Sequence, residues 1–481
     1  MRNHRFVQPV VDQLLFVGMD ALMKRHQVEA NGSSNDHGNL ITLAILALIV
    51  GALAGLLGGL FRLSLVHADI LRNQFIGWAH ARGVMGFLIV VALFAVLVAT
   101  AAWLVRSIAP RASGSGIPDV EAALAERLRP PHALRLLPVK FAGGVLAIGS
   151  GLALGREGPS VQMGGSAGHL LGELTGRSWP DTRTLIAAGA GAGLATAFNA
   201  PLAGAIFVLE ELYKRFEVSI ATAALGASAT AIAISRLILG DAPDFQVAPI
   251  SFVADEVKPL FFAVGLLSGF LAVIYNSMLL GALSIADRLA HVPVELRAGV
   301  VGAAVGVLAW FSPAIVGGGD PITQSVLTGA GTLTLLPVLY AIRLVLSTAS
   351  YAAGTPGGLF APMLVLGAQS GLFFGLAAEA MFPNIGVNPV SFAVVGMAAL
   401  FTGIVRAPLT GIVLTLEMTA NVTLLLPMLA ACFTAMLIPT LLGSAPIYDS
   451  LRERTLRQLA GEASPPTSAP SSKSRGTPRH G

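Results

Sequence analysis

The sequence predicts an all-α, polytopic membrane protein whose helices are tilted and often broken. Three observations carry this. Charge is scarce, apolar stretches of membrane length follow one another, and glycine and proline lie inside those stretches as well as between them. Hydrophobic residues make up 54% of 481 and charged residues 12%, with a mean hydropathy of +0.75. A soluble domain carries roughly 25% charged residues to hydrate its exterior, so much of this exterior faces lipid. The net charge of +4 comes largely from terminal and loop residues; it reads as membrane orientation, and no nucleic-acid partner is expected.

Residues 1–39 are polar, with Arg2, Arg5, Lys24 and Arg25, and lack the apolar core and cleavage site of a secretory signal. They are expected to stay in the cytoplasm. Residues 40–460 form the membrane domain, with long apolar runs near 40–66, 84–108, 217–239, 259–284 and 421–442. A helix needs about 20 residues to cross. The stretches 184–199 and 389–405 are shorter and cut by Gly or Pro, which predicts partial or tilted crossings. The arginine-rich stretch holding Arg111, Arg127, Arg129 and Arg135 should be cytoplasmic by the positive-inside rule, and Arg452, Arg454 and Arg457 agree. Residues 461–481 are Ser, Pro, Thr and basic residues with little to bury, a disordered cytoplasmic tail. Both termini are therefore placed inside. Cys432 has no partner for a disulfide and reads as packing.

Glycine (54) and proline (28) have a further consequence. In hydrocarbon a broken helix leaves backbone groups unpaired, which is tolerable only where protein, water or an ion satisfies them. The breaks therefore suggest an ion path.

The chain also resembles itself. Asn199-Ala-Pro-Leu-Ala-Gly-Ala-Ile-Phe-Val-Leu-Glu210 recurs as Arg406-Ala-Pro-Leu-Thr-Gly-Ile-Val-Leu-Thr-Leu-Glu417. Upstream, Gly158-Pro159 with Gly164 and Gly168 matches Ala361-Pro362 with Gly367 and Gly371, and the same register pairs Lys140 with Arg343. Two repeats result, roughly 40–240 and 255–460. In secondary transporters such repeats often have inverted topology, with broken helices meeting near the midplane. Inversion itself is not written in these residues.

Three segments share one design: Gly114-Ser115-Gly116-Ile117-Pro118, Gly155-Arg156-Glu157-Gly158-Pro159 and Gly357-Gly358-Leu359-Phe360-Ala361-Pro362. Glycine allows a sharp turn and proline favours a first helical turn, so each reads as a helix N-terminus. Unpaired amides and the positive end of the macrodipole attract anions there without a full cation, which leaves the ion free to depart. Taken singly, each segment could equally be a turn between spans.

These three segments resemble, in order, the signature motifs of the CLC chloride channel and transporter family. The Asn199-Ala-Pro-Leu-Ala-Gly stretch, Gly317-Gly318-Gly319 and Tyr448 also fall in the family's pattern. The resemblance spans roughly Leu40 to Leu456, with Asp119 and Ser160 standing where Glu and Thr are frequent. It implies an inverted-repeat homodimer with a separate ion path in each subunit. The Ser115 and Tyr448 hydroxyls would hold a central chloride with the backbone amides of Leu359 and Phe360. Amides near Arg156, Glu157 and Gly158 would line an outer site. Serine at position 115 is associated in the family with chloride, whereas proline would hint at nitrate; Ser115 with Tyr448 also disfavours a fluoride-selective member. A compact chain resembles bacterial members, which suggests a bacterial inner membrane.

Glu157, flanked by glycine at an amide-rich helix start, can itself occupy an anion site, so that proton uptake and chloride arrival become linked. Its bland reading is a carboxylate that only complements the helix dipole. Glu211 resembles the inner proton-transfer glutamate of the family's exchangers. Glu210 beside it reads as a solvated residue at a helix end. Arg156 and Arg343 interrupt apolar sequence and should pair with carbonyls or carboxylates.

The function expected is chloride/proton antiport, with chloride, protons and the bilayer as partners and no organic cofactor or enzymatic step. A passive voltage-gated chloride channel of the same fold is the first rival. The second is an intramembrane hydrolase, because Gly164-Gly-Ser166-Ala-Gly168 fits the Gly-x-Ser-x-Gly pattern. Close packing through small residues explains that segment better, and His169 beside it reads as a packing or interface residue.

Overall fold

The computed structural model describes the backbone of residues 8–250 and 254–463, and the side chains of residues 40–250 and 254–460. The expected disordered tail lies almost wholly outside the described residues, as do the side chains of the N-terminal segment.

The first half opens with α1 (Gln8–His80), whose stretch Leu40–His80 runs for 41 residues and contains an apolar segment of membrane length. That stretch is about twice as long as a crossing requires, and its polar residues from His67 onward lie past the apolar run. After α2 (Gly83–Ile108) come a 3-10 turn, Pro110–Ala112, and the short α3 (Ile117–Leu124). Next are α4 (Ala133–Gly149), α5 (Glu157–Leu174), α6 (Trp179–Phe198) and α7 (Pro201–Phe207), which continues into a π-helical turn, Val208–Leu212, before α8 (Val218–Leu239). Proline stands in the first two positions of α3, α6 and α7, where its fixed φ and missing N–H fit the first turn.

The second half repeats this plan. After α9 (Lys258–Arg288) come α10 (Val294–Phe311), a turn at Pro313–Ile315, the short α11 (Asp320–Leu327), α12 (Leu335–Ala352), α13 (Phe360–Met381), α14 (Pro389–Val405), α15 (Pro408–Thr419) and α16 (Leu425–Leu441). From α2 to α8 each element has its counterpart from α10 to α16. The chain then ends its described part in α17 (Ile447–Ala463). Among the described residues, 8 helices are long and apolar enough to cross a membrane. Neither α6 nor α14 is among them, in keeping with the partial crossings expected at 184–199 and 389–405.

Backbone hydrogen bonds supply the relation between halves that the sequence left open. Gly155 donates its N–H to the Gly358 carbonyl at 2.9 Å, and Gly358 donates back to Gly155 at 2.7 Å, in an antiparallel bridge. These two residues are equivalent in the repeat. Reciprocal bonding of equivalent residues running in opposite directions is what a local twofold axis produces. The halves are therefore inverted, with the starts of α5 and α13 brought together at the bridge.

Glycine stripes let the central helices touch. A Cβ on Gly164 of α5 would collide with the Gly189 carbonyl of α6, and one on Gly189 with the Gly164 carbonyl; Gly367 of α13 and Gly396 of α14 repeat this pair. In lipid, such close backbone packing takes over the role that the hydrophobic effect has in water. It also disposes of the hydrolase reading. Ser166 lies in the middle of α5, not on the strand-to-helix turn that a nucleophile elbow requires.

Candidate functional site

The loop before α3 is held by a buried cation. Gly114 (φ +60) and Gly116 (φ +82) adopt the left-handed backbone that glycine takes at no steric penalty. Lys140 of α4 donates from Nζ to the carbonyls of Ala112 (3.0 Å) and Gly114 (2.7 Å). The second half copies the device: Arg343 of α12 donates to the carbonyls of Ile315 (2.8 Å), Gly317 (2.9 Å) and Gly318 (3.3 Å). The pairing of Lys140 with Arg343 in the sequence thus reflects one job done twice. Each buried cation is satisfied by carbonyls that a broken helix leaves free.

At the centre the three Gly-Pro segments converge. Ser115 is fully buried, its Oγ has no hydrogen-bond partner among the described residues, and its N–H donates to Tyr351 Oη at 3.4 Å. Gly158 lies directly against it, since a Cβ there would sit 2.5 Å from Ser115 Oγ and 2.7 Å from its carbonyl oxygen. Glu157, the first residue of α5, is fully buried. Its Oε1 accepts from the Ala361 N–H at 3.2 Å, while Oε2 has no partner among the described residues. Gly358 packs on this carboxylate so closely that a Cβ would come within 2.5 Å of Oε1 and 2.7 Å of the Gly158 nitrogen.

Leu359 and Phe360, also fully buried, form the start of α13. The Phe360 ring sits among Phe401 (4.7 Å between centroids), Phe207 (5.6 Å), Tyr448 (5.9 Å) and Phe198 (6.2 Å). Tyr448 arrives from α17, and its buried Oη has no partner among the described residues. Two orphan hydroxyls and one half-satisfied carboxylate therefore lie about the starts of α5 and α13, linked through Gly158, Gly358 and the Phe360 ring. Buried polar atoms are otherwise paired as a rule, so an anion accepting from hydroxyls and amides fits this place.

Arg156 faces elsewhere. Its guanidinium donates to the Ala197 carbonyl (2.7 Å) and pairs with Asp320 (2.6 Å) and Asp244 (2.9 Å), and Asp244 pairs further with Arg62. Only its backbone stands at the start of α5. The side chain lines a cleft of about 420 Å³ together with Arg72, Gly155, Gly318 and Asp320.

Glu211 lies in the π-helical turn after α7, buried, with Oε1 unpartnered among the described residues. Such turns widen a helix by one residue and recur at functional sites. It borders a cleft of about 670 Å³ lined also by Glu210, Lys214, Arg406 and Asp449. Glu210 is not the solvated residue expected. Its carboxylate accepts from the N–H groups of Leu409 (3.0 Å) and Thr410 (2.6 Å) and from Thr410 Oγ1 (2.8 Å), capping α15. Glu417, its equivalent, caps α7 through the N–H groups of Leu202 (3.0 Å) and Ala203 (2.8 Å). Both carboxylates are drawn to free amides at a helix start in the opposite repeat.

Sequence reasoning missed Tyr351 and Tyr275, both buried; Tyr275 is within electrostatic reach of Tyr351 and Glu157. Scarcity was the available signal. The chain has 5 tyrosines, and Tyr275, Tyr351 and Tyr448 gather here.

This chain is similar to several known proteins. The family described as "Voltage gated chloride channel" matches residues 97–440. The H(+)/Cl(−) exchange transporter ClcA of Klebsiella pneumoniae (strain 342) is 38% identical over 441 residues, covering 89% of this chain and 92% of the relative. The ClcA of Vibrio parahaemolyticus serotype O3:K6 is 38% identical over 425 residues, covering 86% and 90%. The crystal structure of a slow cyanobacterial Cl−/H+ antiporter superposes with a TM-score of 0.84 at 33% identity, over 87% of this chain and 99% of that one. With the inverted repeat and the convergent helix starts, these matches establish that the chain belongs to the voltage-gated chloride channel family.

Proposed function

We propose that this protein is a chloride/proton antiporter, a transporter and not an enzyme, driven by whichever gradient is larger. The observation that carries the reading is the buried Glu157 carboxylate, whose Oε1 accepts from the Ala361 amide at the start of α13 and whose Oε2 has no partner among the described residues. A carboxylate so placed occupies an anion's position. Chloride displaces it, and protonation removes the charge that held it to the amides, so one exchange moves both ions. Ser115 and Tyr448 donate their hydroxyls to a central chloride, with the amides of Leu359 and Phe360. The amides of Arg156, Glu157 and Gly158 line the outer position, and Glu211 passes protons from its cleft. The exchange activity named for the bacterial relatives supports this reading.

The side carrying Glu211 is the cytoplasmic one. Basic residues of that side, Arg111, Arg129, Arg452 and Arg454, gather around α3 and α17, as the positive-inside rule asks. The membrane is a bacterial inner membrane, by likeness to the relatives. A second copy of the chain is the partner within the bilayer; Leu202 and Leu409, equivalent in the two halves, are both apolar and exposed, which supports a symmetric contact.

The deciding experiment records chloride and pH together in sealed vesicles. An antiporter driven by a chloride gradient moves protons uphill. A passive channel of the same fold dissipates the chloride gradient with no proton movement, and that result rejects the reading.

A further inference from the structure

One cluster beside Glu211, two of whose members line its cleft, has no role in the exchange as described above. Glu121 of α3 is buried, and a buried carboxylate stays ionised only where partners compensate its charge. It has two. Lys214 Nζ lies 2.9 Å from Glu121 Oε1, and Arg452 of α17 bonds to the same oxygen. Asp449 of α17 closes the ring, 2.7 Å from Lys214 and 3.0 Å from Arg452. The ring joins three elements that each carry or adjoin a site residue: α3, which follows Ser115; the turn holding Glu211; and α17, which holds Tyr448.

Lys214 is the member nearest to solvent, with 40% of its side chain exposed. An exposed ion pair adds little to folding, yet its backbone is held at φ +56, a conformation uncommon outside glycine. A strained residue persists where its surroundings fix it. Lys214, together with Arg215, borders two openings. It lines the cleft of about 670 Å³ that reaches Glu211 and the neighbouring cleft of about 360 Å³ that reaches Glu121. Glu211 lies within electrostatic reach of Lys214, Glu121, Asp449 and Glu210, and Arg215 and Arg406 border the same cleft.

We propose that Lys214 is a positioning residue for proton transfer: tied to Glu121 and Asp449, its ammonium is fixed at the mouth of the cleft to Glu211 and sets the charge a proton meets there. The ring is neutral as it stands. Without Lys214 it carries one net negative charge beside Glu211, and without the Asp449 carboxylate one net positive charge. The two changes therefore act in opposite directions. The inference rests on Glu211 being the inner proton acceptor.

The test uses the full chain in liposomes, with chloride and proton flux recorded together across a pH series. Lys214→Met is expected to displace the proton-flux profile to higher pH by about one unit, the order of effect of one nearby charge. Lys214→Arg is expected to restore the wild-type profile, and Asp449→Asn to displace it to lower pH. If Lys214→Met does not fold, Asp449→Asn alone decides by the sign of its displacement. Coincident profiles overturn the proposal, and so does an equal fall of both fluxes in the Met and Arg variants with the profile unmoved. Glu211→Gln runs in parallel. If it retains proton flux, the reading of Glu211 fails; if it loses proton flux while Lys214→Met keeps the wild-type profile, only the role of Lys214 fails.

Discussion

Glu157 Oε1 accepts a hydrogen bond from the N–H of Ala361, the residue that stands in the second repeat where Gly158 stands in the first. A carboxylate from the start of α5 thus occupies the amide-rich start of α13, and inversion of the repeat is what brings the two starts together. Glu157→Ala removes the carboxylate from that position while leaving the amides in place. Chloride flux is expected to continue and proton flux to fall at least about tenfold, a barrier change of about 1.4 kcal/mol. Simultaneous chloride and pH recordings check this; proton movement still in fixed ratio to chloride would refute the role given to Glu157.

Ser115 Oγ and Tyr448 Oη are buried without partners among the described residues, so each is free to donate to an ion. A hydrogen bond to a charged group contributes about 1.5–3 kcal/mol, and Ser115→Ala or Tyr448→Phe should each weaken chloride binding roughly tenfold or more. Titration calorimetry in detergent measures it. Unaltered affinity in both variants places the chloride elsewhere.

Glu417 offers a test of the fold separate from transport. It caps α7 as Glu210 caps α15, but it does not border the cleft of Glu211. A lost helix cap costs about 0.5–2 kcal/mol, so Glu417→Ala should lower the thermal midpoint in detergent by a few degrees while leaving the ratio of proton to chloride flux alone. Glu210→Ala should destabilise to a similar degree. A midpoint unmoved in both variants means these caps do not hold the repeats together.

Much of this architecture was legible in the sequence because lipid constrains it. Backbone groups at a break must be satisfied, so Gly-Pro segments inside apolar runs mark the helix starts that meet at the centre. The repeat was legible for the same reason, since equivalent breaks keep equivalent residues. What stayed hidden depends on partners distant in the chain. Glu210 looks like a solvated helix end until α15 of the other repeat presents its free amides. Arg156 reads as a cation in need of carbonyl or carboxylate partners, but that Asp244 and Asp320 supply them is set by segments far away in the chain. Tyr351 has no motif of its own, and its place beside Ser115 comes from a loop and the last turn of α12, which only the fold brings together.

Lys140 and Arg343 allow structural and functional contributions to be separated. Both are fully buried or nearly so and both bind the carbonyls of a glycine loop. Arg343→Met strands the carbonyls of Ile315, Gly317 and Gly318, and Lys140→Met strands that of Ala112 while Gly114 keeps the Gly357 N–H, at about 1–3 kcal/mol for each stranded group, so both variants should melt earlier. Their effects on the ion should differ. The loop held by Lys140 contains Ser115, and its left-handed glycines, Gly114 and Gly116, let it shift once the ammonium is gone, carrying the Oγ away from Gly158. The loop held by Arg343 has Gly318 at the equivalent place and no hydroxyl to lose. Chloride affinity by calorimetry should therefore drop roughly tenfold in Lys140→Met and much less in Arg343→Met. Equal losses in the two variants would mean that Lys140 supports the fold as a whole and not the position of Ser115.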